Sequence, residues 1–268
     1  MEDQGRKGPI LVHKDHASPS VFRPDALLRE ARRQKGLPLI DVPDVCLLDP
    51  DGDIVRHLRK TGVGRNHPGW ACYHTEMLTF ELEGVGDVGV IGCAVGAPFA
   101  VLVAEQLFAS GCRLLVSVTS AGRIVDSGPT PYFVLIDRAL RDEGTSYHYL
   151  PVAEFAEAPD AGLLTRVEDA VSCLPDITLH RGATWTTDAP YRETEAAIET
   201  ARAARALAVE MEAAALYAFA KAANRPVICF AHVTNSMAQT EGDFEKGEAD
   251  GTIATLAVVA ATARAWRG

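Results

Sequence analysis

Two carboxylates interrupt an otherwise apolar run at residues 209–217, Val-Glu-Met-Glu-Ala-Ala-Ala-Leu-Tyr. Carboxylates are rarely buried without partners, so a wholly buried helix has no use for Glu210 and Glu212 at its start. Where a strand passes into a helix, a carboxylate lies near the positive end of the helix dipole and accepts hydrogen bonds from hydroxyl groups. The run therefore predicts either a ligand site or an ordinary acidic helix start.

On both sides of this run, apolar segments that predict strands alternate with segments of helical periodicity. The predicted strands include residues 45–48, 70–82, 113–118 and 227–233, and the last helix spans about 250–266. This alternation is typical of one layered α/β domain. Residues 1–40, a polar arm followed by a short helix, are predicted to be an N-terminal extension of a domain formed by residues 41–268.

The composition is that of an ordinary globular protein, since 47% of the 268 residues are hydrophobic and 23% are charged. A net charge of −10 repels polyanions, so no nucleic-acid partner is expected. No apolar run approaches the roughly 18 residues that a membrane span needs, and the charged N-terminus is unlike a signal peptide. Six widely spaced cysteines without metal-ligand spacing indicate a cytoplasmic protein with reduced thiols and no metal or cofactor.

Small and polar residues gather just past the ends of the predicted strands. These clusters are residues 49–53, 92–96, 119–122, 186–192, 210–212 and 234–236. In open α/β sheets, ligands bind outside the carboxyl ends of the strands. Any one cluster would be an ordinary turn, but six of them predict a pocket along this edge.

Five separated segments carry a more specific pattern. They are the turn Gly92-Cys93-Ala94-Val95-Gly96-Ala97-Pro98, the strand end from Leu115 to Gly122, the run 142–151 (Asp-Glu-Gly-Thr-Ser-Tyr-His-Tyr-Leu-Pro), the loop 187–191 (Thr-Asp-Ala-Pro-Tyr) and residues 209–215. Together they resemble the nucleoside phosphorylase superfamily, and its uridine phosphorylase branch in particular. The resemblance covers roughly residues 45–265, and the Glu-Met-Glu-x-Ala motif is its most specific part.

The resemblance implies a single-domain, three-layer α/β/α fold with a central twisted mixed sheet. It also implies a small-molecule nucleoside as substrate, cleavage of the N-glycosidic bond with release of free base, and a homo-oligomer, either a dimer or a hexamer built from dimers. Ribose would be bound by Glu210, Met211 and Glu212, with Glu212 on the sugar hydroxyls and Met211 packed under the ring. The base would lie beside Ala121, Gly122, Thr187, Asp188, Tyr191 and Arg192.

The acceptor region departs from the family pattern. Where the family places three phosphate-binding arginines, this chain has Ile54, Tyr73 and Ser117. Each charge-assisted hydrogen bond contributes roughly 1.5–3 kcal/mol, so losing three weakens phosphate binding by about 5–9 kcal/mol. Ser120 keeps a hydroxyl beside the expected acceptor position, and Thr119 precedes it. Water is therefore the favoured acceptor, although phosphate held by relocated arginines stays an alternative.

Three side chains are candidates for catalysis. Asn235 lies where purine-specific members have an acidic residue, and an amide hydrogen-bonds a leaving base without protonating it. Asp53 and Glu76 are candidate bases for activating water, with Asp51 close to Asp53 in an acidic turn. A descendant that binds a nucleoside without cleaving it is the rival prediction, because the sugar motif is complete while the arginines are missing.

Overall fold

The computed structural model describes residues 9–12, 14–237, 241 and 243–268. Residues 1–8 and 13 of the predicted N-terminal arm therefore lie outside the described residues. In the described part, ten strands are β1 (Val45–Asp49), β2 (Arg65–Asn66), β3 (Leu78–Leu82), β4 (Gly86–Gly92), β5 (Leu114–Arg123), β6 (Tyr132–Asp142), β7 (Phe155–Glu157), β8 (Leu179–Thr187), β9 (Ala206–Glu210) and β10 (Val227–Asn235). Seven α-helices accompany them: α1 (Pro24–Lys35), α2 (Asp53–Thr61), α3 (Ala97–Ala109), α4 (Ala161–Ser172), α5 (Glu195–Ala203), α6 (Ala213–Ala223) and α7 (Thr252–Arg267).

All ten of these strands belong to one mixed sheet, in the order β10-β6-β8-β9-β5-β1-β4-β3-β2, with β7 attached to β6. Strand β10 also pairs with β5, so β10, β6, β8, β9 and β5 form a closed circuit from which the other strands extend. Strands β1, β4, β5 and β10 run parallel, and their carboxyl ends therefore meet at one edge.

The end of β9 is brought to this edge by a short antiparallel pairing with β5. Gly122 lies opposite Val209 in that pairing, and Gly122 also lies opposite Asn235 of β10. Glycine at position 122 gives room to its neighbours, because an added Cβ would lie 2.6 Å from the Met237 sulfur and 3.2 Å from Val209 Cγ1, and Met237 would have to move. The register thus places the acidic run beside the strand end that the sequence assigned to the base.

Helices cover both faces of the sheet. Helices α3 and α6 pack together on one face over the larger core cluster, while α2, α4 and α7 cover the other face. The strands in the middle are buried on both sides, as β1 and β10 are at every position, which is why they appear in the sequence as continuous apolar runs. The predicted three-layer α/β/α fold with a mixed sheet is confirmed.

One predicted strand is wrong over more than half its length, because residues 70–77 form a partly buried loop and β3 begins only at Leu78. Trp70, Ala71 and Cys72 are buried there without strand pairing. The Lys35 ammonium of α1 donates to the carbonyl oxygens of Ala71 and Cys72, at 3.2 and 2.6 Å. Apolar content predicted a strand here, but a lysine 36 residues away satisfies the backbone instead.

A buried tyrosine ties α6 to the sheet. Tyr217 is fully buried; its hydroxyl donates to the carbonyl of Ile136 in β6 at 2.6 Å and accepts from the N–H of Cys229 in β10 at 3.1 Å. We expect Tyr217→Phe to lower the free energy of unfolding by about 2–4 kcal/mol, since it strands two buried backbone groups. Chemical denaturation measures this, with Tyr73→Phe, whose hydroxyl is at the surface, as the control. An unchanged denaturation midpoint would contradict the prediction.

Candidate functional site

Glu210 closes β9 and anchors the start of α6. One of its carboxylate oxygens accepts the N–H groups of Glu212 and Ala213, both at 2.7 Å, and the other accepts the hydroxyls of Thr184 and Thr186. The side chain is buried, and burial raises its pKa. With four donors around it, Glu210 is the supporting carboxylate that holds the negative charge of the pair, and it has no oxygen left for a ligand.

Glu212, by contrast, has a free acceptor. Its Oε1 accepts the N–H of Gly96 at 2.7 Å. Its Oε2 is buried and makes no hydrogen bond of standard geometry, although the nearby Thr119 hydroxyl acts to lower the pKa of this carboxyl. Burial, followed by repulsion from Glu210, raises the pKa of Glu212 to about 8. The glycine turn between β4 and α3 and the acidic run, which are 116 residues apart, therefore meet at one carboxyl group. Only about 1% of the Glu212 surface is exposed, so its unpartnered oxygen becomes an acceptor for a ligand hydroxyl once the carboxyl group is ionised.

The raised pKa of Glu212 predicts a pH-dependent affinity for any ligand that donates hydroxyl groups to it. Below pH 8 the empty site holds Glu212 protonated, and such a ligand must displace the proton to gain a carboxylate acceptor. We therefore expect the affinity for such a ligand to increase from pH 6 to pH 8.5, with release of a proton at pH 7. Calorimetry in buffers of different ionisation enthalpy measures that release. Glu212→Gln is the control, and equal proton release by the variant would contradict the assignment.

The predicted acceptor region is occupied by an aspartate. Asp51 Oδ2 accepts both the backbone N–H of Ser120, at 2.9 Å, and the Ser120 hydroxyl, at 2.5 Å. Asp53 beside it pairs with Arg56 and accepts from the Lys246 ammonium at 2.6 Å, and Lys246 also lies 3.9 Å from Asp51. A carboxylate and not an external anion therefore takes the donors of Ser120.

A cavity of about 20 Å³ remains beside Ser120, bordered also by Asp51, Thr252 and His232. A single water needs about 10–15 Å³ of such space. The Thr252 hydroxyl is buried without a partner and would hydrogen-bond a water there. Burial and the adjacent Lys246 lower the pKa of His232 to about 4, so its ring is neutral at pH 7. The cavity has room for about one water.

Asn235 is engaged in local hydrogen bonds. Its Oδ1 accepts the N–H of Met237 at 2.9 Å, and its Nδ2 donates to the Thr234 hydroxyl at 3.1 Å and to the Ala121 carbonyl at 3.5 Å. This is the arrangement of a strand-end cap, which ties the end of β10 to the following loop. A role for Asn235 on the leaving base stays a prediction.

The predicted base residues differ in how deeply they are buried. Ala121 and Thr187 are buried, and the Thr187 hydroxyl accepts the N–H of Ala189 at 3.2 Å. Asp188 Oδ2 accepts a hydrogen bond from the N–H of Gly144 at 2.9 Å. Asp188 also lines an apolar cavity together with His148 and Tyr149. Tyr191 is fully exposed, and Arg192 is exposed beside it. The loop 188–192 is therefore largely exposed.

The remaining residues singled out from the sequence pack in the core or form hydrogen bonds and ion pairs within the protein. Ile54 is buried in the core under α2, and Glu76 is an exposed partner of Arg59 at 2.6 Å. Ser117 is buried with its hydroxyl unpartnered, and Thr119 is buried next to the cavity at Ser120. Asp53 is engaged with two cations, so Asp51 is the acidic residue of this turn that contacts Ser120.

Sequence reasoning missed Lys246 and His232. Lys246 contacts Asp53 across 193 residues of chain, from a polar loop in which no periodicity marks it. His232 had a weak signal, since it is the one ring with titratable nitrogens in the apolar run 227–233. The buried stretch of β10 places it at the same edge as Ser120, with which it pairs in register.

Among the residues that the structure describes, no group of three His, Cys, Asp or Glu side chains is arranged to hold a metal ion. All six cysteines are free, and four of them are buried. Within the described ranges, no helix combines the length and the apolar character that crossing a bilayer requires.

Solved structures show where this fold occurs elsewhere. Uridine phosphorylase from Vibrio fischeri, in its complex with 6-hydroxy-1-naphthoic acid, superposes with a TM-score of 0.70 at 18% identity, covering 85% of this chain and 95% of that one. A second structure of that enzyme gives a TM-score of 0.69, also at 18% identity, over 87% and 95%. At this identity the likeness establishes the fold.

Curated sequences give matches of higher identity over shorter stretches of the chain. A guanosine phosphorylase of Halorubrum lacusprofundi is 29% identical over 135 residues, which is 50% of this chain and 55% of that protein. An uncharacterised protein of Acanthamoeba polyphaga mimivirus is 26% identical over 164 residues, or 61% and 63% of the two chains. The chain thus matches less than two thirds of the length of each of these relatives.

A sequence model of a protein family matches much more of the chain than either relative does. The Phosphorylase superfamily model matches residues 26–266, from α1 to the end of α7, and includes every side chain of the site described above. With the uridine phosphorylase fold and the acidic helix start in agreement, the chain belongs to the phosphorylase superfamily.

Proposed function

We propose that this protein cleaves the N-glycosidic bond of a nucleoside or a close relative, with water as the acceptor in preference to phosphate. The observation that carries the choice of acceptor is the pair of hydrogen bonds from Ser120 to Asp51. The observation that carries the sugar site is the buried, unpartnered oxygen of Glu212. Family membership supports the reaction class. The choice of water as acceptor rests on the two hydrogen bonds from Ser120 to Asp51.

Phosphate is disfavoured on two physical grounds. First, the N–H and hydroxyl of Ser120 are the donors that an oxyanion would use, and the Asp51 carboxylate already uses them. A phosphate entering beside Asp51 would meet a like charge, which disfavours binding strongly in a partly dehydrated site. Second, the cavity of about 20 Å³ beside Ser120 matches the volume that one water needs.

The same geometry supplies a base for hydrolysis. Water attacks the anomeric carbon as the bond to the base nitrogen breaks, and the electron pair of that bond leaves with the base. Asp51 accepts the proton of the attacking water, while the base takes its proton from solvent. Glu212 holds the sugar hydroxyls, and its charge stabilises the positive character that develops on the sugar ring. Lys246 and Arg56 hold Asp53 beside Asp51.

Phosphate-dependent cleavage is the second candidate, because a matched relative is a guanosine phosphorylase. Lys246 supports it, since its ammonium lies 3.9 Å from Asp51 and could pair with an anion if Asp51 moved away. A nucleoside-binding protein without catalysis is the third candidate. In each case we propose a cytoplasmic homo-oligomer, a dimer or a hexamer, whose neighbouring copy covers the exposed loop 188–192.

One assay separates these functions. Purified protein is incubated with a panel of purine and pyrimidine nucleosides, with and without phosphate, and free base and ribose products are separated by chromatography. Free ribose formed at equal rates in both arms supports hydrolysis. Ribose 1-phosphate formed only with phosphate would overturn the choice of water. A nucleoside that raises the melting temperature but is never cleaved would favour the binding protein.

A further inference from the structure

The start of α7 borders the cavity of about 20 Å³ beside Ser120. Thr252, the first residue of this helix, is 1% exposed, and its hydroxyl has no hydrogen-bond partner within the described residues. Buried hydroxyls in native proteins almost always have a partner, because an unsatisfied one has lost its hydration without compensation. Thr252 borders the cavity together with Asp51 and Ser120. The partner that matches a cavity of this volume is one water.

A glycine brings Thr252 to the cavity. Gly251, the residue before α7, has a φ of 77°, a left-handed conformation that favours glycine. A Cβ at this position would lie 2.5 Å from His232 Cε1 and 2.7 Å from the carbonyl oxygen of Lys246. The N–H of Thr252 donates to the carbonyl of Ala249 at 3.1 Å, so the hydroxyl is the donor that this residue has left. Helix α7 therefore approaches β10 closely where Thr252 lies.

Thr119 connects this cavity with the carboxylate that is proposed to bind the sugar. Thr119 is buried and borders the cavity. Its hydroxyl also acts to lower the pKa of Glu212, against the larger effect of burial. Asp51, the proposed base, borders the same cavity. A water in the cavity therefore lies beside the proposed base, and Thr119 links it to Glu212.

We propose that Thr252 positions the attacking water and restricts the acceptor to a molecule of that size. The inference rests on the proposed function, since it names the residue that selects the acceptor of that reaction. Asp51 accepts one hydrogen of the water, the Thr252 hydroxyl forms a second hydrogen bond, and a lone pair stays free. The water oxygen bonds to the anomeric carbon, its proton passes to Asp51, and the electron pair of the glycosidic bond leaves with the base.

The same side chain sets the size limit. The cavity has room for about one water, so an alcohol needs space that Thr252 occupies. A smaller residue at position 252 should therefore admit a larger acceptor beside Asp51.

The first test needs no substrate. Thr252→Val keeps the shape of the side chain and removes its hydroxyl. If that hydroxyl binds a water, the variant loses a hydrogen bond, and its urea midpoint should be lower than that of the wild type. An unchanged or higher midpoint would mean that the hydroxyl is unsatisfied, and would overturn the proposal. Ser117→Ala is the control, because the Ser117 hydroxyl is also buried without a partner but does not border the cavity. Its midpoint should fall less than that of Thr252→Val.

The second test measures the acceptor. The full chain is incubated with a nucleoside in water, with and without added methanol, and ribose and methyl riboside are separated by chromatography. We expect the wild type to form ribose as its main product in both arms. Thr252→Ala removes Oγ1 and Cγ2 beside the cavity, and its share of methyl riboside should be at least about tenfold larger.

Kinetics distinguish positioning of the water from binding of the substrate. Thr252→Val should lower kcat about three- to tenfold with KM unchanged, because a hydrogen bond to the water is lost and none to the nucleoside. Thr252→Ser should recover most of the rate. Thr262→Val is the matched control on the same helix, since the Thr262 hydroxyl bonds the Val258 carbonyl at 2.8 Å and does not border the cavity. It should leave both constants unchanged.

The outcomes separate this inference from the proposed function. Hydrolysis with the same product ratio in the wild type and Thr252→Ala would overturn the acceptor role while hydrolysis stands. A raised KM in Thr252→Val without a lower kcat would do the same. If the wild type cleaves no nucleoside, the proposed function fails and the acceptor role fails with it. The urea midpoint then decides whether Thr252 holds a water.

Discussion

Glu212→Gln is expected to lower kcat/KM for nucleoside cleavage by about 10²–10⁴-fold at pH 8.5. The carboxylate accepts two sugar hydroxyls in the proposed complex, and each hydrogen bond to a charged group contributes roughly 1.5–3 kcal/mol. Glutamine keeps the shape and the bond from Gly96 but loses the charge. Because Glu212 is itself protonated below about pH 8 in the empty site, the difference between the two proteins should shrink at pH 6.

The same substitution should stabilise the folded protein at alkaline pH. The folded-state pKa of Glu212, about 8, lies above the ordinary value of 4.5, so the fold favours the protonated form. The unfolded chain loses this proton near pH 4.5, and wild-type stability therefore falls as the pH rises from there towards 8. Glutamine cannot lose a proton. The melting temperature of Glu212→Gln should exceed that of the wild type at pH 9, and the gap should narrow at pH 5.

Glu210→Gln is the matched control for both measurements. Glu210 accepts from two N–H groups and two hydroxyls, and an amide satisfies fewer of them, so this variant should be less stable than the wild type. A higher melting temperature in Glu212→Gln together with a lower one in Glu210→Gln would distinguish the carboxylate that binds a ligand from the carboxylate that supports the fold. Full activity in Glu212→Gln at pH 8.5 would remove the sugar assignment.

Asp51→Asn is expected to reduce hydrolysis by about 10²–10⁴-fold, the usual contribution of a general base. Asparagine still accepts a hydrogen bond from Ser120 but cannot take a proton from water. Asp51→Ala goes further, since it frees the N–H and hydroxyl of Ser120 and removes the negative charge next to them. In that variant phosphate should accelerate release of the base, which product analysis with and without phosphate measures.

Asp53→Asn is the control for the Asp51 variants. It lies two residues away and keeps the local shape, but Asp53 contacts Lys246 and Arg56 and not Ser120. It should retain more activity than Asp51→Asn. Equal losses in the two variants would mean that the acidic turn acts through its total charge. Undiminished hydrolysis by Asp51→Asn would exclude it as the base.

Much of the fold was predictable because its signals are local. Residues 45–48 and 227–233 are continuous apolar runs, and they form the centre of the sheet because both of its faces are covered. The run 70–77 shows the limit of this reasoning. Trp70, Ala71, Cys72 and Met77 are buried as expected. The carbonyls of Ala71 and Cys72, however, are satisfied by Lys35 from α1, a contact that no local pattern reveals.

For this protein, the sequence by itself determined the alternation of strands and helices, the family, and the acidic helix start at Glu210 and Glu212. These depend on periodicity and on short motifs, which a linear chain displays. Tertiary structure alone decided that Glu212 keeps a free oxygen, that Asp51 takes the donors of Ser120, and that Lys246 reaches Asp53. Those contacts join residues 69 to 193 positions apart, and they exist only because parallel strands end at one edge of the sheet.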